Sequence, residues 1–125
     1  MRQILEMMKK LLPLLLFVLL AFAGCQREPA TYQMATNPRE FVPNVEKFVK
    51  QVSKNAKHYK AEDWQVEVEQ FVAMSKNYVE YSTALTEEEI MRYNNARLQF
   101  MSAVDAAGDE HLVALVKETY NNIVP

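Results

Sequence analysis

Between residues 85 and 109 the chain reads LTEEEIMRYNNARLQFMSAVDAAGD, which carries both a helix start and a helix stop. Thr86 and Glu89 have the spacing of a capping box, in which each side chain accepts a hydrogen bond from the other residue's backbone N–H. Gly108 is expected in the left-handed conformation that commonly follows the last residue of a helix. The stretch therefore predicts a helix over residues 87–107.

The residues upstream carry a further helix start. Asn37-Pro38-Arg39-Glu40 offers an N-cap residue, a proline at the first helical position and a glutamate three residues after the cap. Apolar residues then recur on one helical face: Phe41, Val45, Phe48, Val52 and Ala56. Pro43 conflicts with this pattern, because a proline inside a helix costs roughly 3 kcal/mol. Two alternatives follow: Pro43 kinks a helix that starts at the cap, or the regular helix begins nearer residues 42–44 after a preceding turn.

Two more helices complete the predicted fold. One starts near Ala61, where Tyr59 and Trp64 have the spacing of a hydrophobic staple. Its predicted inner face consists of Trp64, Val68, Phe71, Ser75, Tyr78 and Ser82. Asp109 can cap a short last helix. Because the connections are short, neighbouring helices must run antiparallel. The predicted fold class is all-α, a small antiparallel bundle of three main helices plus a short C-terminal helix over residues 37–125.

Residues 1–24 have the composition of a secretory signal peptide, predicted as a helix ahead of the bundle. The first ten residues are net positive, and residues 11–24 carry no charge and are rich in leucine. As a helix this apolar part would span about 21 Å, against about 30 Å for a hydrocarbon core. A cleaved signal is therefore favoured over a permanent membrane anchor.

The junction Phe22-Ala23-Gly24-Cys25 resembles the lipobox of bacterial lipoproteins, which usually has an aliphatic residue in place of Phe22. The resemblance implies cleavage between Gly24 and Cys25 and a lipid on the Cys25 thiol. In the alternative interpretation Cys25, the single cysteine of the chain, is a small apolar residue in a membrane helix. Residues 25–36 show no periodicity and are predicted to be the lipidated cysteine and a short tether.

The residue after Cys25 indicates a location in the cell, and the net charge of the mature domain indicates which partners to expect. By resemblance to lipoprotein sorting signals, Gln26 after the cysteine favours the outer membrane of a bacterial envelope, facing the periplasm. The leader holds Arg2, Lys9 and Lys10 against Glu6, so its removal changes the formal net charge from −2 to −4. A mildly acidic domain has no general attraction for nucleic-acid phosphates or anionic lipid headgroups. A nucleic-acid partner is therefore not expected, and the expected membrane attachment is the lipid on Cys25.

Three motifs together resemble a known class of protein. They are Phe48 to Asn55, Tyr59 to Trp64, and Leu85 to Glu89, and they are similar to small helical lipoproteins of Bacteroidota that carry domains of unknown function. In those proteins the tyrosine is followed by a serine or threonine cap, whereas this chain has Lys60. The resemblance covers about residues 45–95. It implies an envelope location and a helical fold, and it implies no activity.

No group of residues predicts catalysis or metal binding. His58 and Glu62 stand four residues apart, but a helix break is predicted between them, and a metal site needs three or four ligands. His111 is predicted at the solvated surface. Residues 87–89 are interpreted as first-turn acids that complement the helix dipole. No nucleophile–base pair is visible, so the chain is predicted not to be an enzyme and to need no cofactor.

Several aromatic residues cannot all face the core and predict a partner surface. They are Tyr81, Tyr93, Phe100 and Tyr120. Such surfaces suit protein partners, although ordinary surface tyrosines beside a wide core stripe are the alternative. The predicted function is a membrane-tethered periplasmic lipoprotein that acts as a non-enzymatic protein-binding or adaptor module. The alternative is a structural or self-associating envelope lipoprotein, with an enzyme or metal carrier as the third hypothesis.

Overall fold

Four α-helices make up most of the computed structural model, which describes residues 28–125. They are α1 (Pro38–Asn55), α2 (Ala61–Tyr81), α3 (Glu87–Ala106) and α4 (Glu110–Ile123), and short 3-10 turns follow α1 (Ala56–His58) and α2 (Ser82–Ala84). The described residues contain no strand. The predicted all-α class, with three main helices and a short fourth, is confirmed. The predicted signal peptide lies outside the described residues.

The start of α1 differs from the prediction. The helix begins at Pro38, and Asn37 caps it through a side-chain oxygen that accepts from the N–H groups two and three residues on. Pro43 therefore lies inside the helix, and the alternative in which the regular helix starts at residues 42–44 is wrong. The proline ring is exposed and displaces no core side chain. Its local cost is the missing hydrogen bond to the Arg39 carbonyl and the crowding of that carbonyl by the ring. The cap and the buried apolar face of α1 outweigh that loss.

The other helix starts follow the predicted signals. Thr86 and Glu89 form the capping box, with hydrogen bonds of 3.1 and 3.0 Å. The carboxylate of Asp109 accepts from the backbone N–H groups of His111 and Leu112, the second and third residues of α4. At the start of α2 only one of the two hydrogen bonds of a capping box can form, because the Lys60 side chain has no acceptor atom. The Asp63 carboxylate accepts from the Lys60 N–H at 2.8 Å.

Stacked aromatic rings show how α2 and α3 run relative to each other. The ring centroids of Tyr78 and Tyr93 lie 4.2 Å apart, and those of Phe71 and Phe100 lie 4.6 Å apart. A step of seven residues back along α2 thus matches a step of seven residues forward along α3. The two helices are therefore antiparallel, as their short connection predicts.

The aromatic rings of α1 show how this helix runs relative to α2 and α3. Phe41 lies 5.4 Å from Tyr93, and Phe48 lies 6.0 Å from Phe100, measured between ring centroids. Both pairs advance together along the chain, so α1 and α3 are parallel and α2 is antiparallel to both. The core lies between these helices, and its fully enclosed side chains include Phe41, Val45, Phe48, Val52, Phe71, Met74, Tyr93, Phe100 and Val104.

The short helix α4 closes the bundle beside α2 and α3. The Tyr120 ring lies 5.9 Å from the Phe71 ring, measured between centroids, and the Arg97 guanidinium lies over the Tyr120 ring at 4.8 Å from its centroid. A turn of three residues, 107–109, joins α3 to α4. Each helix therefore runs antiparallel to the helix that precedes it in the chain, as the short connections predict.

Gly108 makes the sharp turn between α3 and α4 with a φ of +73°. A Cβ placed there would meet nothing within 4 Å, so a side chain would strain only the backbone. We expect Gly108→Ala to lower the free energy of unfolding by about 1 kcal/mol in urea denaturation, because left-handed backbone is unfavourable for alanine. Gly108→Asn should lose less, since asparagine tolerates this conformation. Equal losses in the two variants would contradict the backbone explanation.

Candidate functional site

The residues ahead of α1 pack against the bundle. Residues 28–36, named here the N-terminal strap, lie between α1 and α2, and three of their side chains are buried there: Ala30, Tyr32 and Ala35. The predicted tether over residues 25–36 is therefore wrong for the strap. The physical reason is that these side chains bury apolar surface, while polar side chains of the bundle accept hydrogen bonds from the backbone N–H groups of all three residues.

The strap is extended and antiparallel to α1. The side-chain amide of Asn55 donates to the Glu28 carbonyl at 3.3 Å, and that of Asn44 donates to the Gln33 carbonyl at 3.1 Å. The helix between these two asparagines is about 16 Å long. Five strap residues cover that length, which requires an extended backbone of about 3.3 Å per residue. The strap therefore brings Glu28 to the C-terminal end of α1.

Polar side chains on the inner side of α2 bind the middle of the strap. The buried Asn77 accepts from the Tyr32 hydroxyl at 2.6 Å and from the Ala35 N–H at 2.8 Å through the same oxygen. Gln70 accepts from the Tyr32 N–H at 2.7 Å. The Tyr32 ring meets the Phe48 ring edge-on at 5.9 Å between centroids. These contacts make the strap part of the hydrophobic core.

A buried carboxylate stands where the strap begins. Glu67 is fully buried, and its Oε1 accepts from the Tyr59 hydroxyl at 3.3 Å, while its Oε2 has no partner among the described residues. The Tyr59 hydroxyl in turn accepts from the Ala30 N–H at 3.3 Å. Burial raises the pKa of Glu67 to about 7, the negative charge of Asp63 adds to the rise, and the hydrogen bond from Tyr59 opposes it. Burial thus favours the protonated acid below about pH 7.

Replacing Glu67 by glutamine should change how stability depends on pH. The folded-state pKa of Glu67 lies above the unfolded value of about 4.3, so its contribution is greatest at low pH and is lost as the pH rises toward 7. We expect Glu67→Gln to raise the free energy of unfolding at pH 8 by about 2 kcal/mol. The variant should also lose most of the fall in stability that the wild type shows between pH 5 and 8. Urea denaturation from pH 5 to 8 measures it. The exposed Glu69→Gln is the control, and parallel pH profiles for both variants would contradict the assignment.

An open cleft of about 740 Å³ lies between the end of α1, the start of α2 and the end of α3, and its wall includes Tyr59, which binds the strap at Ala30. At its wall the rings of Tyr59 and Trp64 meet edge-on at 5.0 Å between centroids, which confirms the predicted hydrophobic staple. Alanine and short polar side chains form much of the remaining lining. The cleft thus marks the bundle end at which the strap enters.

The predicted partner surface does not form as one exposed patch. Tyr93 and Phe100 are fully buried, so their assignment to a surface is wrong. The reason is the phase of α3, which turns these rings toward α1 and α2 and leaves two other apolar side chains outside. Met91 is 64% exposed and Leu98 is 55% exposed. An α-helix with apolar residues on several sides does not reveal this phase from sequence alone.

The two remaining residues of that surface have roles inside the bundle. Tyr81 is partly exposed, and its hydroxyl donates to the Ala35 carbonyl at 3.3 Å, so it binds the end of the strap. Tyr120 is partly exposed and contacts Phe71 and Arg97. Neither tyrosine is free of intramolecular contacts.

The other predicted site residues are placed as follows. Gly24 and Cys25 lie outside the described residues. His58 and His111 are exposed, and Glu89 accepts in the capping box and forms a 2.7 Å ion pair with Arg39. Within residues 28–125 no three His, Cys, Asp or Glu side chains form a cluster that could bind a metal ion. In the same range no helix has the length and apolar character to cross a bilayer.

Three polar residues that face the strap were not predicted from the sequence: Glu67, Gln70 and Asn77. Their signal is present in the sequence, since polar side chains interrupt the inner side of α2 beside Phe71 and Met74. Buried polar side chains require partners. Such an interruption therefore indicates a polar segment packed against the helix.

Most of the bundle matches the model of a protein family. Residues 52–123, from the end of α1 through α4, match the model of a family described as Domain of unknown function (DUF6565). No curated protein and no solved structure matches the chain. The match covers more than half of the chain, and the strap lies outside it. The chain therefore belongs to the DUF6565 family, whose function is unknown.

Proposed function

We propose that this chain is a lipoprotein of a bacterial envelope, and that its bundle is a non-enzymatic protein-binding or adaptor module at the membrane surface. The observation that carries the proposal is the position of the strap. Only two residues, Gln26 and Arg27, separate the Phe22-Ala23-Gly24-Cys25 motif from Glu28, whose carbonyl accepts a hydrogen bond from Asn55. Cleavage before Cys25 would leave a lipidated residue joined almost directly to a folded domain.

Exposed apolar side chains support the protein-binding part of the proposal. Met91 and Leu98 stand seven residues apart, about two helical turns, and so share one side of α3. Methionine and leucine on one exposed helix face suit contact with another protein. A second copy of the chain could cover the same face, which is the structural, self-associating alternative. Sedimentation of wild type and Leu98→Glu separates the two: a stable homo-oligomer that the substitution dissociates favours self-association.

The lipid anchor is tested with Cys25→Ala expressed in a bacterial host. We expect the wild-type chain to lose residues 1–24, to gain the mass of acyl groups and to sediment with membranes, because the thiol is the acceptor that the lipobox resemblance implies. The variant should carry no acyl mass. Intact mass spectrometry and membrane fractionation measure both properties. Gln26→Ala, which changes the next residue and keeps the thiol, is the control.

One result would overturn this proposal. If wild type and Cys25→Ala both retained residues 1–24 and fractionated alike, the leader would be an uncleaved anchor and Cys25 would have no role in attachment. The outer-membrane location that Gln26 favours is tested separately, by density-gradient separation of inner and outer membranes. The lipidated chain is expected in the outer-membrane fraction.

A further inference from the structure

Lysine residues repeat along α1 and the turn after it. They are Lys47, Lys50, Lys54 and Lys57, named here the lysine stripe. Spacings of three, four and three residues keep them on one side of a helix. All four are exposed, and no acidic residue occurs between Glu46 and Glu62. A chain that is acidic overall therefore has one strongly basic face, which its net charge alone does not reveal.

The lysine stripe faces away from the core. Lys54 follows the fully buried Val45 by nine residues, and at about 100° per residue this places the two side chains on opposite sides of α1. Within residues 28–125 none of the four lysines forms a salt bridge; the ion pairs there are Arg39 with Glu89 and Arg92 with Glu46. Intramolecular pairing therefore does not explain the stripe.

The strap connects this basic face to the N-terminus. The Glu28 carbonyl accepts from Asn55, which stands between Lys54 and Lys57. Cys25 precedes Glu28 by three residues, and three Cα–Cα steps span at most about 11 Å. A lipid on Cys25 would therefore bring this end of α1 within reach of the headgroup layer of its own membrane leaflet.

Resting on the proposed lipid anchor, we infer that the lysine stripe docks on the anionic phospholipid headgroups of the leaflet that holds Cys25. The anchor supplies proximity, and the four ammonium groups supply charge complementarity. A lysine near an anionic bilayer strengthens association by about fivefold. The bundle then rests with the outer side of α1 against the membrane. The inferred attraction is local to one helix face and does not require that the whole domain, which is acidic, attract anionic lipid.

The experiment follows the reactivity of each lysine in the mature, lipidated chain reconstituted in vesicles. Acetylation rates are read by mass spectrometry in vesicles of phosphatidylcholine alone and in vesicles with about one-third phosphatidylglycerol. We expect the lysine stripe to react about threefold or more slowly on the anionic vesicles, and about 0.5 M salt to reverse the effect. Lys76 and Lys117, which are exposed on α2 and α4, serve as internal controls with equal rates on both vesicles.

Matched double variants test whether charge is the cause. Lys50→Gln with Lys57→Gln should remove most of the protection of Lys54 on anionic vesicles. Lys76→Gln with Lys117→Gln, which changes the net charge equally, should leave that protection intact. Circular dichroism confirms that both variants retain the helical fold. Equal loss of protection in the two variants would overturn the inference.

The remaining outcomes separate this inference from the proposed anchor. Intact mass is measured first, and a chain without acyl mass overturns the lipoprotein proposal on which the inference rests. Acyl mass with equal lysine reactivity on both vesicle types overturns the docking inference alone. Protection that persists unchanged in neutral detergent micelles also overturns it, because a second protein chain would then cover the stripe.

Discussion

Phe100→Ala is expected to lower the free energy of unfolding by about 4 kcal/mol. The ring is fully buried, stacks on Phe71 with 4.6 Å between centroids, and lies 6.0 Å from Phe48. Its removal leaves a cavity where α1, α2 and α3 meet, and helices joined in register by other ring pairs cannot close it fully. Urea denaturation followed by circular dichroism measures the change. For a domain of this size, the loss is a large share of the total stability.

The control for Phe100→Ala is Leu98→Ala, a truncation two residues earlier on the same helix. Because Leu98 is mostly exposed, its loss should change the free energy of unfolding by less than about 0.5 kcal/mol. Were Leu98→Ala the more damaging of the two, α3 would be rotated so that Phe100 faces outward. The aromatic surface predicted from sequence would then be correct.

Asn77→Ala is expected to lower the free energy of unfolding by about 3 kcal/mol and to release part of the strap. One side-chain oxygen accepts from the Tyr32 hydroxyl and from the Ala35 N–H, and both donors are buried. The alanine variant leaves them without a partner unless the strap moves into water. Hydrogen exchange at the Ala35 amide measures release, and denaturation measures stability.

The exposed Asn95→Ala provides the comparison for Asn77→Ala. It removes the same side chain from α3, where it has no described hydrogen bond to the strap, and alanine is favourable in a helix. We expect the Ala35 amide in this variant to exchange as in wild type. Unchanged protection of that amide in Asn77→Ala itself would show that the strap does not depend on α2.

Local signals made the helices predictable. The capping box of Thr86 and Glu89, the staple of Tyr59 and Trp64, and the turn at Gly108 each depend on residues at most five apart. Such short-range patterns report directly on the backbone that they stabilise. They located the starts of α2, α3 and α4 and the end of α3.

What the sequence could not show depends on contacts between distant residues. Tyr32 meets Asn77 across 45 positions, and a strap of nine residues has too few apolar side chains for any periodicity. The phase of α3 also depends on its neighbours, because apolar residues such as Leu98 and Phe100 lie on different sides of that helix. The bound strap was therefore missed, and the lipobox that ends at Cys25 stays a prediction.

The antiparallel course of the strap has a mechanical consequence for a chain anchored at Cys25. Tension on the anchor would first load the contact between Glu28 and Asn55, then that of Ala30 with Tyr59, and then the pair of Tyr32 with Asn77. These contacts would yield one after another from the anchored end. Full detachment of the nine residues would lengthen the linker between Cys25 and the bundle by about 30 Å. The bundle would thus lie close to the membrane at rest and could move farther from it under tension.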